Sequence, residues 1–450
     1  MNSFERILNH KGWLGLLPLA IILVGIAYFL NYLPNPLLLV GLICGGIIMA
    51  WFLIRPRAVI LFLLLIRSSL DISKEFFHVY VTNEFQLTAP IVVSFILIIG
   101  GLFYIFSHRI PVLKIPFTKY LVIFLILSIL NFLTAENLIS SLMEFFRFFS
   151  AFIIYILAWT LFDTEKRIKA LINMIILSSL IPLACGLYQI ILNRGQFISG
   201  FIRAYGTFAH PNPYAFFLII ILALALNFYA DRPRWKVKLK LLLLITLSAF
   251  CLLLTFTRTA WFGLFLLFIF LIWFRERRFI WPFVILLTVF VLLSPVRLRF
   301  YDLAGSFNSM VHRLYIWKAG LEKFPACPLI GRGLMSFELL DIYGEPAHND
   351  LLRIIFELGI FGLIIYLALI VAIFRKLFAV LHSGLRPYFY SLTCAVFSIF
   401  VVFQIASITG NIFFRPAIQW YFWALVAAVL KGAEMKPEIP ASGASGQNLK

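Results

Sequence analysis

Charge is what this chain of 450 residues has least of: Asp, Glu, Lys and Arg together make up 13% of it, and the acidic residues number only 19. Soluble domains carry about a quarter charged residues, so an ordinary soluble fold is excluded. Cysteine is scarce too. Cys44, Cys185, Cys251 and Cys394 lie inside apolar runs and Cys327 stands alone in a loop, which excludes a disulfide framework. The sequence has no Asp-x-Asp, no cluster of Cys and His, and no glycine-rich nucleotide loop, so no metal centre and no cofactor is indicated. The dyad alternation of a membrane barrel is missing as well.

What is there is apolar. Hydrophobic residues make up 63% of the chain, and the mean hydropathy is +1.01. Apolar runs of span length recur near 14–30, 37–54, 57–70, 89–106, 120–133, 142–162, 168–192, 213–230, 239–256, 260–274, 279–293, 350–374, 388–408 and 417–431. The expected fold class is all-α: a polytopic membrane helical bundle of about 12–14 transmembrane helices. The run at 57–70 is crowded by Arg55, Arg57 and Arg67. The first run follows a basic start and is followed by "NYLPNP" with no small-residue cleavage pattern, so it reads as an uncleaved span.

The net charge of +19 raises the question of nucleic acid, and its distribution answers it. Basic residues fall in short clusters between spans, such as "RPR" at 55, "EKRIK" at 165, "DRPRWKVKLK" at 231 and "RERR" at 275. That is the positive-inside pattern, with membrane lipid rather than nucleic acid as the surroundings. It places both termini in the cytoplasm. It turns 193–213, 255–260 and 294–349 outward, the last a long extracytoplasmic segment of short amphipathic helices expected to pack over a cavity. Residues 1–431 then form one bundle, and 432–450 ("GAEMK…" onward) a disordered tail.

The outward stretches share a design. In "HPNPYAFF" Asn212 reads as an N-cap with Pro213 at the first helical position; in "HNDLL" Asn349 caps a helix with Asp350 in its first turn; "TRTAW" starts a helix near Thr257 or Thr259. Three helix N-termini thus meet one rim, where Arg203, Arg258, Arg313 and Arg415 add full positive charges. An anion site results, of a kind that fits a lipid diphosphate. Plainer roles exist for each residue. Arg203 and Arg415 suit snorkelling anchors, Arg147 suits a pair with Glu144, and His210 suits a cap region.

His348 carries the sharpest pattern. It is followed by Asn349, nine residues, and Gly359-x-x-Gly362. Glycines one turn apart share a helix face and permit close packing, which would fix the histidine at the mouth of the bundle. An imidazole with a pKa of about 6.5 suits proton removal from a hydroxyl.

Here the sequence resembles the O-antigen ligase and O-antigen polymerase family of bacterial membrane glycosyltransferases. "RAYGTFAHPNPYAFF", "TFTRTAWFG" and "HRLYIWKAGLEKFPACPLIGRGLMSF" are similar to further family stretches, and the resemblance covers roughly residues 140–430. It implies a C-type glycosyltransferase fold with an undecaprenyl-diphosphate-linked glycan as donor and no metal. It also implies a glycan acceptor such as lipid A-core, and inversion at the anomeric carbon. By carry-over His348 is the general base. Arg203, with Arg258 or Arg313 or both, stabilises the departing diphosphate, and His210, Asn212, Asn349, Gly359, Gly362 and Arg415 support the site. A ligase is the leading expectation. A repeat-unit polymerase shares the chemistry, transfer to a protein hydroxyl is a third possibility, and transport of the same lipid a fourth. Transport is disfavoured because spans beyond 350 carry few ionisable residues.

Overall fold

The computed structural model describes residues 36–75, 78–80, 86–198, 200–301, 309–323, 328–340 and 346–435. The expected first span at 14–30 and all but the start of the tail lie outside the described residues.

The described part of the chain opens with α1 (Pro36–Ile54) and α2 (Pro56–Arg67), then a hairpin of β1 (His78–Tyr80) and β2 (Gln86–Thr88). There follow α3 (Ala89–Ser107), α4 (Thr118–Leu130), α5 (Leu138–Leu161), α6 (Glu165–Leu177) and α7 (Leu180–Ile191). A second hairpin, β3 (Gln196–Ile198) and β4 (Phe201–Arg203), leads to α8 (Pro211–Ala230), α9 (Trp235–Leu253), α10 (Arg258–Phe274) and α11 (Ile280–Leu292). Three short helices come next: α12 (Ser294–Tyr301), α13 (Ser309–Lys323) and α14 (Ser336–Leu339). The chain then returns to long helices with α15 (Asp350–Leu381), α16 (Pro387–Ser407) and α17 (Pro416–Glu434).

The protein is a polytopic all-α membrane protein. Among the described residues, six helical segments are long and apolar enough to cross a bilayer: α3, α5, the α6–α7 pair, α8, α15 and α16. Shorter apolar helices lie at Ile43–Ile54, Thr118–Leu133 and Arg258–Phe274. The last helix runs to Glu434, past the expected end of the bundle at 431. The run expected as one span over 168–192 is divided at Ser178 and Ser179. Their hydroxyls donate back to the carbonyls of Ile175 and Ile176, each at 2.7 Å, and turn the chain between α6 and α7.

Two helices form the centre. Almost every residue of α8 and of α17 is buried, as expected for helices apolar all round. Trp420 of α17 donates its indole N–H to Ser150 Oγ of α5 at 2.9 Å, and Tyr155 packs edge-on against Trp423. Polar side chains inside the helices bond their own backbone: Ser128 to Phe124 O, Thr393 to Phe389 O and Ser398 to Cys394 O. This removes the cost of a bare hydroxyl in an apolar medium.

Gly359 corrects the expectation of a continuous glycine-faced helix. Its backbone (φ 67°, ψ −168°) is non-helical and breaks α15 after its first turns, in a region of conformational space used essentially by glycine alone. The groups freed by the break are met by the loop "PLIGRG". Ile360 N donates to Pro328 O at 2.9 Å and Phe361 N to Leu329 O at 3.3 Å, while Arg332 N and Gly333 N donate to Phe356 O and Glu357 O, both at 3.1 Å. A Cβ on Gly359 would lie 2.3 Å from Leu329 O. The glycine therefore packs against a loop rather than against another span.

Candidate functional site

Four helices begin around one cavity. They are α8, α10, α15 and α17, and His210, Thr257, Asn349 and Arg415 occupy their N-cap positions. Three such starts were expected from the sequence; that of α17 is the addition. The α8 cap differs from expectation. His210 is the cap, its Nδ1 accepting from Asn212 N at 3.2 Å, and the helix starts at Pro211. Asn212 is thereby free of the capping role, and its side chain turns to Arg203.

Arg203 ends the β3–β4 hairpin on a loop held from two sides. Ala204 N donates to Leu254 O at 2.9 Å, and the Gln189 amide accepts from Tyr205 N and Gly206 N while donating to Gly206 O. The Arg203 side chain is buried. Its Nε donates to Thr255 O at 2.6 Å, and its Nη2 to Asn212 Oδ1 at 2.9 Å and to Thr257 Oγ1 at 3.0 Å. Its Nη1 has no acceptor among the described residues. Burial, with Arg299, Arg258 and Arg313 nearby, pushes the Arg203 pKa down to about 9. Crowded cations in a low-dielectric site favour whatever anion relieves them.

His348 is placed as firmly. Trp317 Nε1 donates to Ala347 O at 2.7 Å just before it, and Asn349 Oδ1 accepts from Leu352 N at 3.0 Å just after it. His348 itself has φ 49°, in the left-handed region that a residue with a Cβ adopts at a cost of about 1–2 kcal/mol. Such strain persists where the surroundings over-determine it and clusters at functional sites.

The cavity between these elements has a volume of about 210 Å³. Arg203, Arg258, Arg313, Arg415, His210, Asn212 and His348, seven of the ten site residues expected from the sequence, line it together. Asn349, Gly359 and Gly362 do not line it; they shape the helix behind His348. Reasoning from sequence missed Arg299, His312, Thr409 and Asn411, which also line it. Arg299 and His312 lie in the segment 294–349, so α12 and α13 supply part of the wall. Counting the additions, five arginines and three histidines line the cavity and no carboxylate does, among the described residues. Arg258 Nη1 donates to Arg299 O at 3.2 Å and Arg313 Nη1 to Thr409 O at 2.9 Å. His210 is half-buried beside Arg203, Arg415 and His348, and its pKa falls to about 4. It is therefore neutral at pH 7 and serves as a cap.

A charged network lies behind the cavity. Arg353, one turn along α15, bridges Glu357 (2.9 Å), Glu338 (2.7 Å) and Glu144 (3.4 Å), and its guanidinium lies 3.8 Å from the centre of the Phe414 ring. Glu144 also pairs with Arg147, as the sequence suggested. Arg353 and Glu357 are both buried, and both precede the break at Gly359. Each faces an opposite charge, which offsets part of the cost of burying it.

A family model described as "O-Antigen ligase" matches residues 241–367. That stretch of the chain is similar to the O-antigen ligase family. It contains Arg258, Arg299, Arg313, His348 and the break at Gly359. Arg203 and His210 precede it, and Asn411 and Arg415 follow. Rickettsial relatives agree. A protein named "Putative polysaccharide ligase" from Rickettsia felis is 29% identical over 147 residues, 29% of this chain and 34% of that one. Similarly named proteins of Rickettsia conorii and Rickettsia typhi are 29% and 30% identical, over 29% of this chain and 33% and 34% of theirs. The chain thus spans about a third of the length of these curated relatives.

Proposed function

We propose that this protein is a membrane glycosyltransferase of the ligase/polymerase type, moving a glycan from an undecaprenyl-diphosphate carrier to the hydroxyl of an acceptor sugar. The observation that carries this reading is the cavity itself: five arginines, four helix N-termini and a histidine in the left-handed region gather on its wall.

The chemistry follows from that arrangement. His348 takes the proton from the acceptor hydroxyl as its oxygen attacks the anomeric carbon. The bond from that carbon to the diphosphate oxygen breaks, and the electron pair leaves on the diphosphate. Arg203, Arg258 and Arg313 sit where that negative charge grows, and Arg203 is pre-set by three hydrogen bonds so that it does not reorganise. Attack from the face opposite the diphosphate inverts the configuration. The positive-inside pattern supports a cavity on the outer side of the membrane, taken here as the bacterial inner membrane, with both termini in the cytoplasm.

Within this chemistry the ligase reading is preferred, with lipid A-core as acceptor, because the His348-Asn349 spacing to Gly359 and Gly362 is intact. Deletion of the gene, followed by analysis of the surface polysaccharide, tests it. Long chains retained on the carrier support a ligase. Single repeat units on the acceptor mean a polymerase, and an unchanged surface polysaccharide contradicts both.

A further inference from the structure

The loop between α16 and α17 carries three polar atoms that the diphosphate chemistry does not use. Asn411 Nδ2, Asn411 Oδ1 and Thr409 Oγ1 are buried, line the cavity and have no hydrogen-bond partner among the described residues. Asn411 is 6% exposed, so bulk water does not satisfy it. The loop is not loose. Asp350 Oδ2 accepts from Ser407 Oγ at 2.6 Å and from Phe413 N at 2.9 Å, gripping it on both sides of Thr409 and Asn411. A buried carboxamide held in place with both ends unmet is costly unless a ligand completes it.

The type of unmet group names the ligand. A phosphate offers acceptors only; it would meet Nδ2 and repel Oδ1. Adjacent sugar hydroxyls, or an acetamido group, offer a donor and an acceptor together. The position narrows it further, because Arg313 Nη1 bonds the carbonyl of Thr409 itself, so this edge adjoins the arginines. We propose that Thr409 and Asn411 form a sugar subsite that holds the carrier-proximal sugar of the lipid-linked glycan through its hydroxyl or acetamido groups. This rests on the diphosphate reading of the same cavity.

The test compares two probes on the full-length protein in lipid nanodiscs: undecaprenyl diphosphate, and undecaprenyl diphosphate bearing one N-acetylhexosamine. Asn411→Leu keeps the size and removes both polar atoms. It should weaken binding of the sugar-bearing probe about tenfold, the loss of one or two hydrogen bonds, and leave the bare diphosphate unchanged. Thr409→Val should act the same way with a smaller loss, and it serves where Asn411→Leu fails to fold. Parallel loss of both probes would make the loop merely structural and overturn the subsite, as would no change in either. A wild-type protein that binds the bare carrier but gains nothing from the sugar overturns the subsite alone. A wild-type protein that does not bind the bare carrier overturns the diphosphate reading, and the subsite falls with it.

Discussion

Asp350 accepts a hydrogen bond from Ser407 Oγ at 2.6 Å, which joins the helix that starts just after His348 to the end of α16. The same carboxylate oxygen holds Phe413 N at 2.9 Å. One buried side chain thus couples the histidine wall of the cavity to the wall formed by the α16–α17 loop. Asp350→Ala leaves the Ser407 hydroxyl and the Phe413 N–H unpaired in a buried setting, at a cost of about 1–3 kcal/mol for each. The variant should melt well below wild type in detergent, and Asp350→Asn should recover part of the difference. Equal melting temperatures for Asp350→Ala and wild type would remove the coupling.

Gly359→Ala should be among the most damaging single methyl additions. The backbone region alone costs about 1–3 kcal/mol for a residue with a Cβ, and the new atom would lie 2.3 Å from Leu329 O. Gly384→Ala is the control, because Gly384 also has a positive φ (69°) but nothing within 4 Å of the added Cβ. Melting temperatures of the pair separate the docking of the "PLIGRG" loop from backbone strain. A Gly359→Ala loss no larger than that of Gly384→Ala would mean the loop is not needed.

Arg353→Leu should destabilise by about 3–5 kcal/mol, because it strands the buried carboxylate of Glu357. Arg147→Ala, whose side chain is 40% exposed, should cost far less. The double variant Arg353→Leu with Glu357→Leu should recover much of the loss. Chemical denaturation of the three proteins in mixed micelles reads the order, and an Arg147→Ala loss equal to that of Arg353→Leu would contradict it.

Much of this was legible beforehand. The Asn349 cap, the helix start at "TRTAW" and the gathering of Arg203, Arg258, Arg313, Arg415 and His348 follow from local sequence chemistry acting at helix starts. Gly359 was misread because spacing alone does not separate a helical glycine face from a glycine that breaks the helix. Only the partner loop decides, and it lies in a distant stretch. The Arg353 network was hidden for the same reason, since its partner Glu144 is 209 positions away. Asn411 gave only a weak signal, a polar "TGN" between two apolar runs.

His210 should make the protein more sensitive to acid. Burial, then the charges of Arg203 and Arg415, lower its pKa to about 4 against an ordinary value of 6.5. Between those values the unfolded chain binds a proton that the folded chain does not, so stability is full above the ordinary value and is lost as the pH falls through the window. His210→Asn keeps an acceptor for the α8 cap and removes the titration. Melting temperatures between pH 7.5 and 5 should fall more steeply for wild type than for the variant; parallel slopes would contradict the placement of His210.

The central claim is that anion binding and proton removal are separate duties of one cavity, and paired measurement of donor binding and transfer on purified variants tests it most directly. His348→Ala should bind the undecaprenyl-diphosphate-linked glycan as wild type does while transfer falls by about 10²–10⁴-fold. Arg203→Ala should lose binding and transfer together, and Arg203→Lys should restore only part of either, because an ammonium does not reproduce the three hydrogen bonds that hold the guanidinium in place. Wild-type transfer by a properly inserted His348→Ala protein would contradict the account, leaving a site that binds the carrier lipid without acting on it.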